Sequence, residues 1–190
     1  LSRESERLYR LIENMLTLAR IEAGQRPPME PISLSRTIEA LVSEANQLLP
    51  GLNLKVQSSR YDVIVLGVEG YLKQILLNLL ENAVKYSPPQ SQIDVVIEPM
   101  EDEVEISVLD RGVGVKKPEA LFQPFYREEK PEVRASGLGL GLAVCKTLVE
   151  IQSGSIWAEP RDERGTALRF TLPRVHDGNS SPGPPDCPCP

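Results

Sequence analysis

Apolar positions along this chain follow two rhythms, one of three to four residues and one of two, and the switches between them mark out its elements. Leu8, Ile12, Met15 and Ala19 recur in alternating steps of four and three, and Leu11 and Leu18 widen the stripe, which predicts one long helix over residues 1–23. So broad an apolar face needs cover, either from the domain that follows or from neighbouring helices of a bundle. Gly24 ends that helix, and Pro27, Pro28 and Pro31 forbid its resumption, so residues 24–31 are expected to be a linker.

A second helix is predicted over 33–49, with Leu34, Ile38, Leu41, Val42, Ala45 and Leu48 as its apolar face and Pro50-Gly51 as its stop. Period-two strands are expected at 52–57 and 63–66, then at 92–98 and 103–110, and finally at 155–159 and 166–172. Helices separate these groups at about 72–86 and 137–152. Strands in pairs with helices between them describe an α+β or mixed α/β two-layer sandwich, one sheet covered on one face by helices. This domain is expected to run over 32–173, followed by a Gly-, Pro- and Ser-rich tail, 174–190, expected to be disordered.

A chain of 190 residues suits one domain with appendages. Its composition, 41% hydrophobic and 25% charged, is that of a soluble globular protein, and a net charge of −6 argues against general nucleic-acid binding. No apolar run approaches the roughly 18 residues of a membrane span. Cys145 falls in a predicted helix and Cys187 and Cys189 in the tail, a pattern that matches neither a disulfide framework nor a zinc site and fits a reducing cytoplasm.

The helix near residue 80 carries two faces. Leu72, Leu76, Leu79 and Ala83 form one stripe, while Asn78, Asn82, Lys85 and Tyr86 gather beside it. Asparagine competes for backbone hydrogen bonds and is an indifferent helix former, so two of them four apart inside an apolar run are either incidental amides or a polar site. Downstream, residues 110–114 (DRGVG) follow a strand pattern, 121–127 (LFQPFYR) come next, and 137–143 (GLGLGLA) open a helix. Taken singly, an Asp-x-Gly turn is common and a Gly-Leu alternation could be a close helix-packing site.

Together, in this order and at these spacings, the four segments resemble the N, G1, F and G2 boxes of the sensor histidine kinase catalytic domain, and the resemblance covers roughly residues 1–173. It implies a Bergerat-type ATPase fold, a mixed sheet of about five strands with three main helices, binding ATP and Mg2+. It also makes residues 1–23 similar to the second helix of the dimerisation and phosphoacceptor hairpin, so that an acceptor histidine would lie on a first helix outside this chain. His176, the one histidine, falls in the tail.

The resemblance assigns Asn82 to the metal, as an oxygen ligand of the kind magnesium prefers, with Asn78 supporting it or a phosphate-bridging water. Lys85 is placed near phosphates or ribose and Tyr86 against the nucleotide. Asp110 is matched to the adenine amine, Gly112 and Gly114 to close backbone approach, Val113 and Val115 to apolar cover, and Thr166 to a second polar contact beside the base. Gly137, Gly139 and Gly141 would offer amide hydrogens to phosphate at a helix N-terminus, with Leu138, Leu140 and Leu142 interleaved; Leu138 departs from the hydroxyl residue usual in the family. Residues 127–136 are read as an ATP lid anchored by Phe122 and Phe125, with Arg127, Lys130 and Arg134 in reach of phosphates. Asn82, Lys85 and Arg127 are thus the candidate catalytic residues.

Hydrolases of the same fold carry a glutamate as general base one helical turn before the metal asparagine; Asn78 stands there, and Glu81 points about 100° away from Asn82. The resemblance therefore implies kinase rather than ATPase chemistry, and the helical spacing predicts that Asn78→Glu would gain hydrolysis. The implied function is the kinase domain of a two-component sensor, homodimeric through its hairpin, cytoplasmic or the cytoplasmic part of a membrane-anchored protein, with a response regulator receiver domain as partner. An anti-sigma-type serine kinase and a catalytically silent nucleotide-dependent interaction module are the alternatives.

Overall fold

In the computed structural model, which describes residues 3–60, 63–128, 138–162 and 164–176, the elements run α1 (Arg3–Glu22), β1 (Glu30–Ser33), α2 (Leu34–Leu48), β2 (Asn53–Ser58), β3 (Ile64–Gly67), α3 (Glu69–Tyr86), β4 (Gln92–Pro99), β5 (Glu103–Leu109), α4 (Gly141–Glu150), β6 (Ile156–Pro160) and β7 (Thr166–Pro173). Five strands form a mixed sheet in the order β2-β4-β5-β7-β6, in which β2 and β4 are parallel and the other neighbours antiparallel. The fold is the α+β sandwich expected from the strand and helix rhythm.

Alternation explains how the sheet takes its helices. Ile93, Val95 and Ile97 of β4, Val104, Ile106 and Val108 of β5, and Leu168, Phe170 and Leu172 of β7 all point to one face and join the core with α2, α3 and α4. α3 buries Leu72, Ile75, Leu76, Leu79, Leu80 and Ala83 there, and each large side chain so buried stabilises the fold by about 1.5–3 kcal/mol. The opposite face is polar and internally paired. Arg169 of β7 donates from Nη1 to Glu105 Oε1 at 2.5 Å and to Ser107 Oγ at 3.0 Å, and from Nε to Glu159 Oε2 at 3.0 Å. Burial alone would lower its guanidinium pKa, but Glu105 and Glu159 more than offset that.

Three expectations about element limits change. Glu30 and Pro31 lie in β1, which pairs antiparallel with β3 in a separate two-stranded sheet, rather than in the linker. A four-residue edge strand with one proline and a single buried side chain, Ile32, gives almost no period-two signal. The last helix starts at Gly141 rather than 137, because Gly139 holds a left-handed φ of +71° and breaks helical continuity. Arg174 and Val175, assigned to the disordered tail, are held in place. Arg174 bridges to Val65 and donates its N–H to Asp102 O at 2.8 Å, and Val175 N–H donates to Ile64 O at 2.9 Å. His176 follows with Nε2 3.7 Å from Asp102 Oδ1, and residues 177–190 of that tail lie outside the described residues.

The C-terminal half of α1 rests on its own domain along one edge. Leu18 and Ile21 pack against the core, and Asn14, buried, accepts a 2.7 Å hydrogen bond from Gln74 of α3. Ile12, Met15 and Leu16 remain exposed. Among the described residues no helix is long and apolar enough to cross a membrane.

Candidate nucleotide site

The four motif segments meet through specific pairwise contacts. The C-terminal end of α3 abuts the 110–114 turn: a Cβ on Gly112 would stand 2.4 Å from the Tyr86 carbonyl oxygen, so only glycine fits there. The middle of α3 meets the start of α4, where Asn78 Nδ2 faces the Gly141 carbonyl at 3.5 Å. The phenylalanine segment meets the glycine segment, since Phe125 N–H donates to Gly139 O at 3.0 Å and a Cβ on Gly139 would lie 2.8 Å from Tyr126 O. Glu128 closes the circuit: its Oε1 accepts the backbone N–H groups of Lys116 and Lys117, both at 2.9 Å.

Asp110 is firmly held. It is buried, its Oδ1 accepts the N–H of Gly112 at 2.7 Å and of Thr166 at 3.1 Å, and its own N–H donates to Thr166 O at 3.0 Å. One carboxylate oxygen is thus fixed by backbone donors, which orients the whole group. Thr166, at the first position of β7, reaches this turn because β5 and β7 pair with Leu109 opposite Ala167. Val113, Gly114 and Val115 are half-buried beside it, and Gly114 holds φ +75°.

Asn82, Lys85 and Tyr86 are half-buried on α3. No described residue hydrogen-bonds the Asn82 side chain. Lys85 Nζ lies 5.0 Å from the centre of the Tyr86 ring, a cation–π distance. Burial pushes the Tyr86 phenol pKa up; Arg127 pulls it down and Glu128 pushes it up again, which places the exposed Arg127 within electrostatic reach of Tyr86.

Asn78 makes a contact that its spacing did not foretell. Its amide faces α4, at Gly141 O and the buried thiol of Cys145, whose pKa is raised by burial to about 12 against a partial lowering by Asn78. Asn82, one turn on, lies on the same side of α3 as Asn78, so it is the packing of α4 at Gly141 that takes up the Asn78 amide. Phe125 also differs from expectation. Phe122 is buried, but Phe125, with φ +64°, is 69% exposed, so only Phe122 anchors the segment leading to 127. Leu138 is exposed, Leu140 buried and Leu142 packed against the core. Gly137, Lys130 and Arg134 lie outside the described residues.

Sequence reasoning missed Arg111, Arg161 and Glu128. Arg111 pairs with buried Asp94 at 2.8 Å, and Arg161 Nη1 donates to Asp110 O at 2.7 Å. Only the register of the sheet brings these partners together, and no local pattern signals it. A cleft of about 420 Å³ lined by Thr17, Arg20, Gln25, Arg26, Pro27 and Tyr71 lies between α1, the linker and α3, and includes none of the predicted nucleotide residues.

Residues 67–176 match the family model described as histidine kinase-, DNA gyrase B- and HSP90-like ATPase. The chain belongs to this ATPase family. Within it, the similar proteins are sensor kinases, and the domain is of the histidine kinase ATP-binding catalytic type. Sensor protein KdpD of Escherichia coli (strain K12) is 36% identical over 173 residues, covering 87% of this chain and 19% of KdpD. Sensor histidine kinase WalK of Bacillus subtilis (strain 168) is 32% identical over 186 residues, 90% of this chain and 29% of WalK. Full-length ShkA, solved in complex with AMPPNP, superposes with a TM-score of 0.73 at 25% identity over 92% of this chain and 37% of ShkA. The chain therefore spans about a fifth of the length of the first curated relatives it matches, 19% in each of two KdpD proteins.

Proposed function

We propose that this domain binds Mg-ATP against α3, the 110–114 turn and the start of α4, and that it donates the γ-phosphate to a histidine on a helical hairpin for relay to a response regulator receiver domain. The observation that carries the reading is the closed set of contacts Tyr86–Gly112, Asn78–Gly141, Phe125–Gly139 and Lys116/Lys117–Glu128, which joins the four sequence segments in one ring. ShkA, similar over 92% of this chain, was solved with AMPPNP, which supports a nucleotide there.

The residues fit these ligands. Asp110, oriented through Oδ1, suits an exocyclic amine; Gly139 leaves room where a Cβ would strike the Tyr126 backbone. Among the described residues no cluster of three or more His, Cys, Asp or Glu could cage a metal. Magnesium would therefore be held by the Asn82 side-chain oxygen together with phosphate oxygens, the usual arrangement for this ion in nucleotide sites, and would supply charge neutralisation on the phosphates. Lys85 and Arg127 add point charges at the same end.

With Asn78 turned toward α4, no carboxylate stands one turn before Asn82 to take a proton from water. The side chains can bind, orient and neutralise charge, which suffices for phosphoryl transfer to a better nucleophile. The exposed Ile12, Met15 and Leu16 edge of α1 is what neighbouring helices of a homodimeric hairpin would cover; a cytoplasmic place follows from the same reading. The test is calorimetry with ADP and Mg2+, followed by incubation with labelled ATP and a separate sensor-kinase hairpin bearing its histidine. Binding with acid-labile label on the hairpin is expected. No binding, or rapid phosphate release without an acceptor, would overturn the proposal.

A further inference from the structure

Asp110 is fixed from inside the turn by two backbone donors, but the turn itself hangs beyond the end of strand pairing. The β4–β5 ladder closes at Asp94 opposite Leu109, so Arg111 lies past its last pair and, in the same register, across from Gln92. Its guanidinium spans that gap. Nη2 pairs with Asp94 Oδ2 at 2.8 Å, Nη1 donates to the main-chain oxygen of Gln92, and the Gln92 amide in turn donates to Asp94 Oδ1 at 2.5 Å. A planar fork that reaches a carboxylate and a carbonyl at once replaces the ladder bonds the strand no longer makes.

A second arginine grips the turn from the other side. Arg161, in the loop between β6 and β7, donates from Nη1 to the Asp110 carbonyl at 2.7 Å, while its own N–H closes the loop onto Gly165 O at 3.1 Å. Asp110 thus stands between two clamps, one to β4 and one to the loop before Thr166, and neither clamp has another evident use.

We infer that Arg111, with Asp94, and Arg161 are positioning residues for base selection: they hold the Asp110 carboxylate at the place where it distinguishes a 6-amino purine from a 6-oxo purine. This rests on the nucleotide reading proposed above. A carboxylate accepts from the exocyclic amine of adenine but meets a carbonyl acceptor in hypoxanthine, so discrimination depends on placement to a fraction of an ångström.

The experiment measures affinities of ADP, inosine diphosphate and pyrophosphate, each with Mg2+, by calorimetry on the unaltered chain and on Arg111→Met, Arg161→Met and Asp94→Asn, with Tm recorded for each. In the variants ADP is expected to weaken roughly three- to tenfold, as for a displaced hydrogen bond, while inosine diphosphate and pyrophosphate hold, so that the ADP preference shrinks. Arg111→Lys, which keeps the charge but reaches only one of the two acceptors, should fall between. If Arg111→Met does not fold, Arg111→Lys and Arg161→Met carry the test. Folded variants with an unchanged ADP to inosine diphosphate ratio overturn the inference whatever their Tm. An unaltered chain that binds no ADP overturns the nucleotide reading instead.

Discussion

Asn78 of α3 directs its side-chain amide at the main-chain oxygen of Gly141, 3.5 Å away in the first turn of α4. That contact is long for a hydrogen bond, yet it ties the helix carrying Asn82 to the helix that opens after the glycine segment. It also changes what a substitution at this position should do. Spacing predicts that Asn78→Glu supplies a general base; the fold predicts a carboxylate pressed against a carbonyl oxygen and beside the Cys145 thiol. The expected outcome is a loss of about 1–3 kcal/mol, on the order of 3–10 °C in Tm, with phosphate release at background. Undiminished Tm with increased release would mean that the side chain turns to the open face after all.

Asn82 has no such tie. Because its half-buried amide meets no described hydrogen-bonding partner, Asn82→Ala should change stability by about 0.5 kcal/mol or less. Nucleotide affinity should nevertheless lose its magnesium dependence. Titrations of ADP with and without Mg2+ check this, and a magnesium effect equal to that of the unaltered chain would remove Asn82 from the metal.

Gly112→Ala places a methyl 2.4 Å from the Tyr86 carbonyl oxygen and 2.9 Å from Asp110 Oδ1. Neither neighbour is the free end of a flexible side chain, so α3 and the turn must part, at about 1–3 kcal/mol. A lowered Tm together with weakened ADP binding is expected. A variant with normal melting and affinity would show that this approach is looser than its geometry.

Cys145 gives stability a pH dependence of known sign. Burial raises its thiol pKa from 9.0 to about 12. Below pH 9 the thiol is protonated folded or unfolded; between 9 and 12 the unfolded chain releases that proton and the folded one keeps it, so stability falls as pH rises. Denaturant melts across this window should fall less steeply for Cys145→Val than for the unaltered chain. Peptide mapping at pH 8 should find Cys145 unlabelled by thiol reagents in the native state, since neither access nor thiolate is present.

Much of the fold was written in local pattern. The apolar stripe of α3, the alternation of β4, β5 and β7 and the stop signals around Pro50-Gly51 are dictated by burial of one face, and burial acts on residues two, three or four apart. The ordered motif segments carried the family resemblance because each is a run of a few consecutive residues. Tertiary structure decided what depends on register and packing. Asn78 and Asn82 are one turn apart on one side of α3, yet Asn78 reaches the Gly141 main chain while no described residue hydrogen-bonds Asn82, because only the packing of α4 decides which amide finds a partner. Phe122 and Phe125 read alike, but the left-handed turn at Phe125 sends its ring outward. Arg111 and Asp94, 17 positions apart, become partners only when β4 and β5 pair where they do, and Arg161 meets Asp110 only because β7 lies beside β5. Long-range pairing energies are sums over a whole sheet, so no single stretch of sequence carries them.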